Sequence, residues 1–323
     1  MFLDKFESFR EIYIQCHDNP DADAIASGYG LYLYFEKLGK KVHLIYSGSY
    51  RITKPSLNIM IHQLDIPIEY RESISGYDLL LTVDCQYRGG NTTPHPAQRV
   101  AMIDHHPQCV STDEWCVIKE EYGSCCTVVW ELLQQKGFEV NDCRGLATAM
   151  YYGLFSDTGQ LSEIFHPKDK EFRDYLRIDR DVMDQLVKSN LLREELQIAG
   201  EALADYYYDD EYSFAVIKTR PCDPNLLGVI NDLAIQVDTI RVSIVYSQTP
   251  IGYKFSVRSD LKEAMAAQVA RWISKDLGSG GGHINKAGGF ILSKNYERQY
   301  PQTEFDQFLK NKLCEWGKKH SNE

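Results

Sequence analysis

The sequence predicts an α/β protein in which a doubly wound, mostly parallel sheet is followed by a smaller α/β domain. In the first half of the chain, strand-like and helix-like segments alternate, which is typical of a parallel sheet covered by helices. One of these segments, YDLLLTVD, is almost continuously apolar, as a strand buried on both faces should be. A second series of strands begins near Glu211, and a chain of 323 residues is long enough for two domains.

The elements of the first half follow from runs of apolar residues and from capping signals. Strands are predicted over residues 11–16, 41–46, 77–84 and 99–104. Helices are predicted over residues 24–38, then from the N-cap Ser124 to about Lys136, and over residues 143–155. Residues 168–204 are charged and helix-like, which is typical of a connector between domains.

The second half is predicted to contain strands over residues 212–218, 241–246, 253–259 and 288–292. Helices are expected over 225–237, 261–277 and 305–318, and a glycine-rich loop should follow the second of them. We therefore expect a metal-binding catalytic domain over 1–185, a helical linker over 186–207 and a substrate-binding domain over 208–323. The active site is expected in the cleft between the two domains.

Composition limits the functional classes. The net charge of −11 argues against a general nucleic-acid binder, which usually carries a basic surface. The nine cysteines are scattered without a CxxC pair, so we expect free thiols and neither a disulfide framework nor a cysteine-type zinc site. The sequence shows no signal peptide and no apolar run long enough to span a membrane. The expected location is the cytoplasm.

Acidic and histidine side chains follow three predicted strands at the point where each strand ends. They are His17, Asp21 and Asp23 after the first strand, Asp84 after the third, and Asp104, His105 and His106 after the fourth. One aspartate at a strand end can simply start a turn or cap a helix. Three such ends together indicate a ligand site at the carboxyl edge of the sheet, and this donor set suits divalent ions such as Mn²⁺.

Individual roles follow from the spacing of these residues. Asp84 is the best candidate to bridge two metal ions, because it is a lone acid on a strand between the other two groups. If the Asp104–His106 triplet is extended, its two imidazoles point in different directions. One can then bind metal while the other serves the substrate, with Asp104 orienting a histidine. Asp157 is a fourth candidate, although an aspartate at such a position, taken alone, is more often an ordinary loop or helix-cap residue.

Five motifs in this order resemble those of the DHH family of phosphoesterases. They are HDNPDADAIASG from His17, TVDC around Asp84, DHH at Asp104, FSDTG around Asp157, and GSGGGHINKAGG from Gly278. The last of these is similar to the glycine-rich motif of the DHH-associated C-terminal domain. The length and the two-domain layout are most similar to the nano-RNase and pAp phosphatase branch of the family.

The resemblance implies a site with two divalent metal ions, with Mn²⁺ expected and Mg²⁺ or Co²⁺ as alternatives. It implies that His17, Asp21 and Asp84 bind one ion, and that the other is bound by Asp23, Asp84, His105 and Asp157. It also places His106 near the scissile phosphate, so that His106, Asp84 and Asp104 form the catalytic set.

The glycine-rich motif is the expected substrate site. Glycines let a ligand approach the backbone closely and expose N–H groups to an anion, although such a run could also be a flexible loop. Arg258, at a strand end, could bind a phosphate or form a surface salt bridge. The resemblance favours substrate roles for a wider set, namely His106, Arg258, Gly281, Gly282, His283 and Lys286.

Three functions are compatible with these residues. The first is metal-dependent hydrolysis of short RNA or DNA oligonucleotides together with dephosphorylation of 3′-phosphoadenosine 5′-phosphate (pAp). The second is hydrolysis of linear or cyclic dinucleotides, pyrophosphate or polyphosphate by the same site. The third is a nucleotide-binding sensor that hydrolyses nothing, which the full set of ligand residues makes less favourable. No membrane partner is expected, and a homodimer stays open.

Overall fold

A computed structural model describes residues 1–49, 51–74, 77–261 and 265–320. The chain forms two compact units, Met1–Asn190 and Leu191–Glu323. The boundary falls inside the predicted linker over 186–207. The assignment of a catalytic and a substrate-binding role to the two parts stays a prediction.

The first unit is built on a six-stranded sheet in which all neighbouring strands are parallel. Its order is β3-β2-β1-β4-β5-β6, so the direction of chain progression reverses between β1 and β4. The strands are β1 (Glu11–Gln15), β2 (Lys41–Tyr46), β3 (Ile68–Tyr70), β4 (Tyr77–Val83), β5 (Ala97–Asp104) and β6 (Cys116–Ile118). The predicted parallel sheet is confirmed, and the two short strands β3 and β6 are additions to it.

In the described part of this unit, six α-helices contribute to the main core, where they pack with side chains such as Ile14 and Leu81 of the sheet. They are α1 (Ala22–Lys37), α2 (Pro55–Gln63), α3 (Cys125–Gln135), α4 (Leu146–Asp157), α5 (Pro167–Tyr175) and α6 (Arg180–Lys188). A smaller apolar cluster contains Tyr13, Ile45 and Leu80, which come from the alternate positions of the same strands.

Two helices of this unit begin at other residues than predicted. Helix α1 begins at Ala22, before the predicted position 24, because the Asp21 side chain caps it by accepting hydrogen bonds from the amides of Asp23 and Ala24. Helix α4 begins at Leu146 instead of residue 143, after Gly145 with a left-handed φ of 75°. The start of α3 after the N-cap Ser124 is as predicted.

The second unit contains a six-stranded mixed sheet of order β11-β12-β10-β9-β8-β7, in which only β8 and β9 pair in parallel. The strands are β7 (Tyr206–Asp209), β8 (Phe214–Thr219), β9 (Val242–Thr249), β10 (Gly252–Ser259), β11 (Gly278–Gly282) and β12 (Lys286–Leu292). The helices are α7 (Arg193–Ala204), α8 (Pro224–Ala234), α9 (Ala266–Ser274), α10 (Ser293–Gln299) and α11 (Phe305–His320).

One face of this second sheet packs with α9 and α11, and the other packs with α7 and α8. The charged stretch 168–204 is therefore helical, as predicted, but it is divided among three helices. Of these, α5 and α6 belong to the first unit, whereas α7 packs through Ile198 and Ala202 in the second. Among the described residues, no helix combines the length and apolar character needed to cross a bilayer.

The predicted glycine-rich loop is wrong, because Gly278–Gly282 forms strand β11, antiparallel to β12. The absence of side chains allows the backbone of β11 to approach its surroundings. A Cβ at Gly280 would lie 2.5 Å from the carbonyl oxygen of Ala270 in α9. The helix predicted over 261–277 is shorter in the structure, at Ala266–Ser274, and residues 262–264 of that prediction lie outside the described residues.

We expect Leu81→Ala to lower the free energy of unfolding by about 2–5 kcal/mol, because Leu81 is fully buried in β4 and its truncation leaves a cavity in the main core. Urea denaturation of the full chain measures this change. Leu38→Ala is the matched control, since Leu38 is 52% exposed at the end of α1. Equal effects of the two substitutions would contradict the proposed core.

Candidate metal centre

The candidate ligands lie at the carboxyl ends of the parallel strands of the first unit. His17 follows β1, Asp84 follows β4, and β5 ends at Asp104, directly before His105. Strands β1 and β4 flank the position where the strand order reverses, and open α/β sheets bind their ligands at such a position. The predicted strand ends are therefore neighbours in space.

The first group of possible metal ligands consists of His17, Asp21 and Asp84, whose donor atoms lie within 4.8 Å of one another. The Nε2 atom of His17 lies 3.7 Å from Asp21 Oδ2 and 3.7 Å from Asp84 Oδ2. Asp21 contributes through Oδ2, while its Oδ1 caps α1. The Asp21 carboxylate thus caps α1 with one oxygen and faces the site with the other.

The second group consists of Asp23, His105 and Asp157, again with donor atoms within 4.8 Å. The Nε2 atom of His105 lies 3.1 Å from Asp157 Oδ2 and 3.8 Å from Asp23 Oδ2. Asp157 is the last residue of α4, so it lies at a helix end, with its Oδ2 beside His105.

Asp84 connects the two groups. Its Oδ2 lies 3.7 Å from His17 Nε2, and its Oδ1 lies 3.3 Å from His105 Nε2. The residue is 2% exposed, and no described donor meets hydrogen-bond geometry at Oδ1. Its φ of 58° is left-handed, which is unusual for a residue other than glycine and indicates a backbone held in place by its surroundings.

Backbone groups orient two of the ligands. The carbonyl oxygen of Tyr122 lies 3.1 Å from His105 Nδ1 and accepts a hydrogen bond from this nitrogen, so Nε2 faces the carboxylates. The amides of Cys125 and Cys126, at the start of α3, donate to the two oxygens of Asp23 over 2.6 and 2.9 Å. Sequence reasoning missed these contributions because backbone donors carry no residue-specific signal.

Asp104 organises the turn that carries the histidines. Its Oδ1 lies 2.8 Å from His106 Nδ1 and also accepts a hydrogen bond from the amide of His105. Its Oδ2 accepts a hydrogen bond from Gln86 Nε2 at 2.9 Å. Gln86 was not predicted, although its position two residues after Asp84 was a usable signal.

The ionised carboxylates of this cluster are unfavourable unless a positive charge lies nearby. Burial, and after it the charge of Asp157, raises the pKa of Asp23 to about 7. Burial, and after it the charge of Asp23, raises the pKa of Asp84 well above its usual range. Burial opposes a charge on His105, but the neighbouring carboxylates of Asp157 and Asp84 outweigh it and raise the pKa of the imidazole. Without a cation, Asp23 and Asp84 therefore hold their protons more strongly than an exposed aspartate does.

The donor set fits divalent cations. Carboxylate and imidazole donors suit Mn²⁺ and similar ions, and such ions keep carboxylates ionised and imidazoles neutral. The buried Oδ1 of Asp84 is an acceptor without a hydrogen bond among the described residues, which is expected of an atom that a cation contacts. The cluster of possible ligands therefore supports divalent metal binding.

The predicted substrate residues Arg258, Gly281, Gly282, His283 and Lys286 lie together in the second unit. Arg258 of β10 is directly opposite Lys286 of β12, and the amide of His283 donates to the carbonyl of Lys286 at 2.7 Å, closing the turn after β11. Gly282 has a φ of 140°, and a Cβ at Gly281 would meet nothing within 4 Å.

Arg258 also forms the salt bridge that was its alternative interpretation. Its Nε donates to Asp232 Oδ1 over 2.6 Å, and its Nη1 donates to Ser256 Oγ over 3.1 Å. The guanidinium group is therefore held in a defined orientation on β10. A role in substrate binding stays a prediction.

Comparison with known proteins identifies related sequences. Residues 11–154 match the model described as the DHH family, N-terminal domain. The chain is 26% identical over 297 residues to an uncharacterized protein of Methanocaldococcus jannaschii, covering 90% of this chain but only 60% of that relative. It is 26% identical over 308 residues to a bifunctional oligoribonuclease and PAP phosphatase of Thermus thermophilus, covering 89% of this chain and 87% of that one.

A third relative is a probable manganese-dependent inorganic pyrophosphatase of Streptococcus thermophilus. It is 22% identical over 296 residues, covering 88% of this chain and 92% of that protein. Among solved structures, an exopolyphosphatase-related protein from Bacteroides fragilis shares the fold with a TM-score of 0.74 at 20% identity, covering 99% of this chain and 96% of that one. The family resemblance and the fold class predicted from the sequence are confirmed.

We expect Mn²⁺ to raise the melting temperature of the wild-type protein, because each bound ion adds about 2.7 kcal/mol of stability at one hundred times its dissociation constant. In the metal-free protein, Asp84→Asn should preserve or raise stability, because it removes a buried carboxylate whose pKa is raised by burial and by Asp23. Most of the response to Mn²⁺ should be lost in this variant. Differential scanning calorimetry with Mn²⁺ and with EDTA measures both effects.

The carboxyl group of Asp84 also sets the sign of the pH dependence of stability in the metal-free protein. Its folded-state pKa lies above the unfolded value of about 4, so its ionisation disfavours the folded state as the pH rises above that value. The metal-free curve of stability against pH should therefore fall less steeply for Asp84→Asn than for the wild type. Asp78→Asn, which changes an exposed carboxylate of β4, is the control and should behave as the wild type. A full Mn²⁺ response in Asp84→Asn would contradict the bridging position.

Proposed function

We propose that the protein, whose residues 11–154 match the model of the DHH family N-terminal domain, hydrolyses phosphoester bonds of short oligonucleotides and of pAp with two divalent metal ions. The observation that carries the proposal is the position of Asp84, whose two oxygens face the two groups of possible ligands. The T. thermophilus oligoribonuclease and PAP phosphatase supports this choice of substrate.

We assign one ion to His17, Asp21 and Asp84, and the other to Asp23, Asp84, His105 and Asp157. The proposed ion is Mn²⁺, which the name of the S. thermophilus pyrophosphatase supports. When bound, two such ions lower the pKa of a water molecule and stabilise the negative charge of the attacked phosphate.

The remaining groups of the first unit serve the substrate in this proposal. Asp104 accepts the hydrogen bond from His106 Nδ1 and so fixes the orientation of the ring. We assign the other ring nitrogen, Nε2, to an oxygen of the scissile phosphate. The His106 side chain is 33% exposed, whereas His105 is 1% exposed, which suits a substrate group and a metal ligand respectively.

In the second unit we assign Arg258, Gly281, Gly282, His283 and Lys286 to the base or terminal phosphate of the substrate. The proposal is supported by the chemistry of this group, which combines a guanidinium, an ammonium, an imidazole and backbone with open space around Gly281. Such donors suit a phosphate. A small group of cations also suits a short substrate better than a long single strand, which requires an extended basic track.

A second candidate is hydrolysis of inorganic pyrophosphate, and it is favoured by the S. thermophilus relative. Pyrophosphate carries no base or sugar, so a pyrophosphatase would use the second unit only to bind phosphate. The non-catalytic sensor is disfavoured, because the six metal ligands predicted from the sequence all lie within the two groups described above.

We expect the purified protein with Mn²⁺ to hydrolyse a labelled dinucleotide, a short RNA of five residues and pAp faster than pyrophosphate, polyphosphate or a cyclic dinucleotide. Initial rates measured across this panel decide between the candidates. Asp84→Asn should lower the rate on every substrate by about 100-fold or more, because it removes a preorganised charge. Activity on pyrophosphate alone would reject the proposed substrate, and no activity on any member would favour a sensor.

His106→Asn should lower kcat on the preferred substrate by about 10²- to 10³-fold, the usual loss when one preorganised hydrogen-bond donor is removed. Binding of Mn²⁺ should be close to that of the wild type, because His106 is assigned to the substrate. His62→Asn is the control, since His62 is exposed on α2. A loss of metal binding equal to the loss of activity would assign His106 to a metal ion instead.

A further inference from the structure

One short segment, residues 122–126, contacts most of the second group of ligands. It follows β6 and leads into α3. The Tyr122 carbonyl accepts the hydrogen bond of His105 Nδ1, and the amides of Cys125 and Cys126 bind both oxygens of Asp23. A shift of this segment would therefore move two ligands together.

The same segment packs beside the third ligand of the group. A Cβ at Gly123 would lie 2.7 Å from Cγ2 of Thr158, the residue after Asp157, and 3.3 Å from Oδ2 of Asp169. Only glycine fits this position without a shift of its neighbours. The 122–126 segment is thus fitted closely between the end of α4 and the start of α5.

The side chain of Asp169 in α5 forms hydrogen bonds with the 122–126 segment and with Thr127, the next residue. Its Oδ2 accepts a hydrogen bond from the amide of Gly123 at 2.9 Å, and its Oδ1 accepts one from Thr127 Oγ1 at 2.6 Å. Thr127 Oγ1 lies 3.1 Å from Ser124 Oγ, so the N-cap of α3 belongs to the same network. Asp169 is fully buried, and its two hydrogen bonds span both ends of the turn into α3.

We propose that Asp169 is a positioning residue for the metal position formed by Asp23, His105 and Asp157, an inference that rests on the proposed two-metal function. Asp169 acts through the 122–126 segment, which sets the direction of His105 Nε2 and the carboxylate plane of Asp23. Outer groups of this kind commonly alter metal affinity by about 10- to 100-fold when they are removed.

The other metal position depends on different supports. Asp21 is held by the amides at the start of α1, and Asp84 has its amide bound to the carbonyl of Ile103 in β5. His17 lies two residues after the end of β1. None of these contacts involves Asp169. Its removal should therefore weaken metal binding at the Asp23–His105–Asp157 position and preserve binding at the other position.

The experiment is a titration of metal-free full-length protein with Mn²⁺ by isothermal calorimetry, combined with anomalous scattering from crystals at limiting Mn²⁺. In the wild type we expect two ions. In Asp169→Ala, affinity at the Asp23–His105–Asp157 position should fall about 10-fold or more, and the anomalous peak at this position should weaken selectively. Asp169→Asn should restore binding close to wild type, because an amide offers an oxygen to the Gly123 N–H and an N–H to the Thr127 hydroxyl.

Asp179→Ala is the matched control. Asp179 is an exposed cap of α6, so its loss should lower thermal stability without changing either metal affinity. Thr127→Val removes one hydroxyl and provides a milder test if Asp169→Ala does not fold; it should weaken the same position in the same direction.

The role of Asp169 would be overturned if Asp169→Ala or Thr127→Val bound both ions as tightly as the wild type does. It would also be overturned if a variant lost affinity equally at both metal positions. A wild-type protein that binds fewer than two ions would instead overturn the two-metal function on which the inference rests. The two failures are distinguished by the wild-type titration alone.

Discussion

Asp84 is the constraint on which the first unit depends, because its buried carboxylate lies between two groups of acids and histidines. A carboxylate in this position is unfavourable without a cation, since burial and the charge of Asp23 both oppose its ionisation. The backbone reaches it in a left-handed conformation that costs further free energy. Such a position is stable only where the surrounding sheet holds it, as the hydrogen bond of its amide to β5 does.

The fold compensates this charge with backbone groups as well as side chains. The first amides of α3 bind Asp23, and the helix dipole adds to this interaction because the amides lie at the helix start. The first amides of α1 bind Asp21 in the same way. The N-termini of α1 and α3 therefore bind Asp21 and Asp23, the two acids that follow β1. The Tyr122 carbonyl directs His105 to the same place.

In the second unit, the main feature is the pairing of the glycine-rich strand β11 with β12. Its glycine strand β11 pairs with β12 through a backbone that side chains would keep apart, and the turn after it joins His283 to Lys286. This unit presents cations in a chain whose net charge is −11. In the proposed function, the first unit binds the metal ions and the second unit binds the base or terminal phosphate of the substrate.

The sequence by itself determined which side chains could bind metal, because the end of an apolar strand and the identity of the next residue are local properties. It also indicated the family through the order of its motifs, and most strands of the first sheet. Only the tertiary structure decided that the glycine run is a strand, since β11 needs β12 and α9 to pair and pack. It also decided that Asp21 caps α1 and that Asp169 supports the 122–126 segment. These contacts depend on backbone groups and on partners distant in the chain, and no local pattern encodes them.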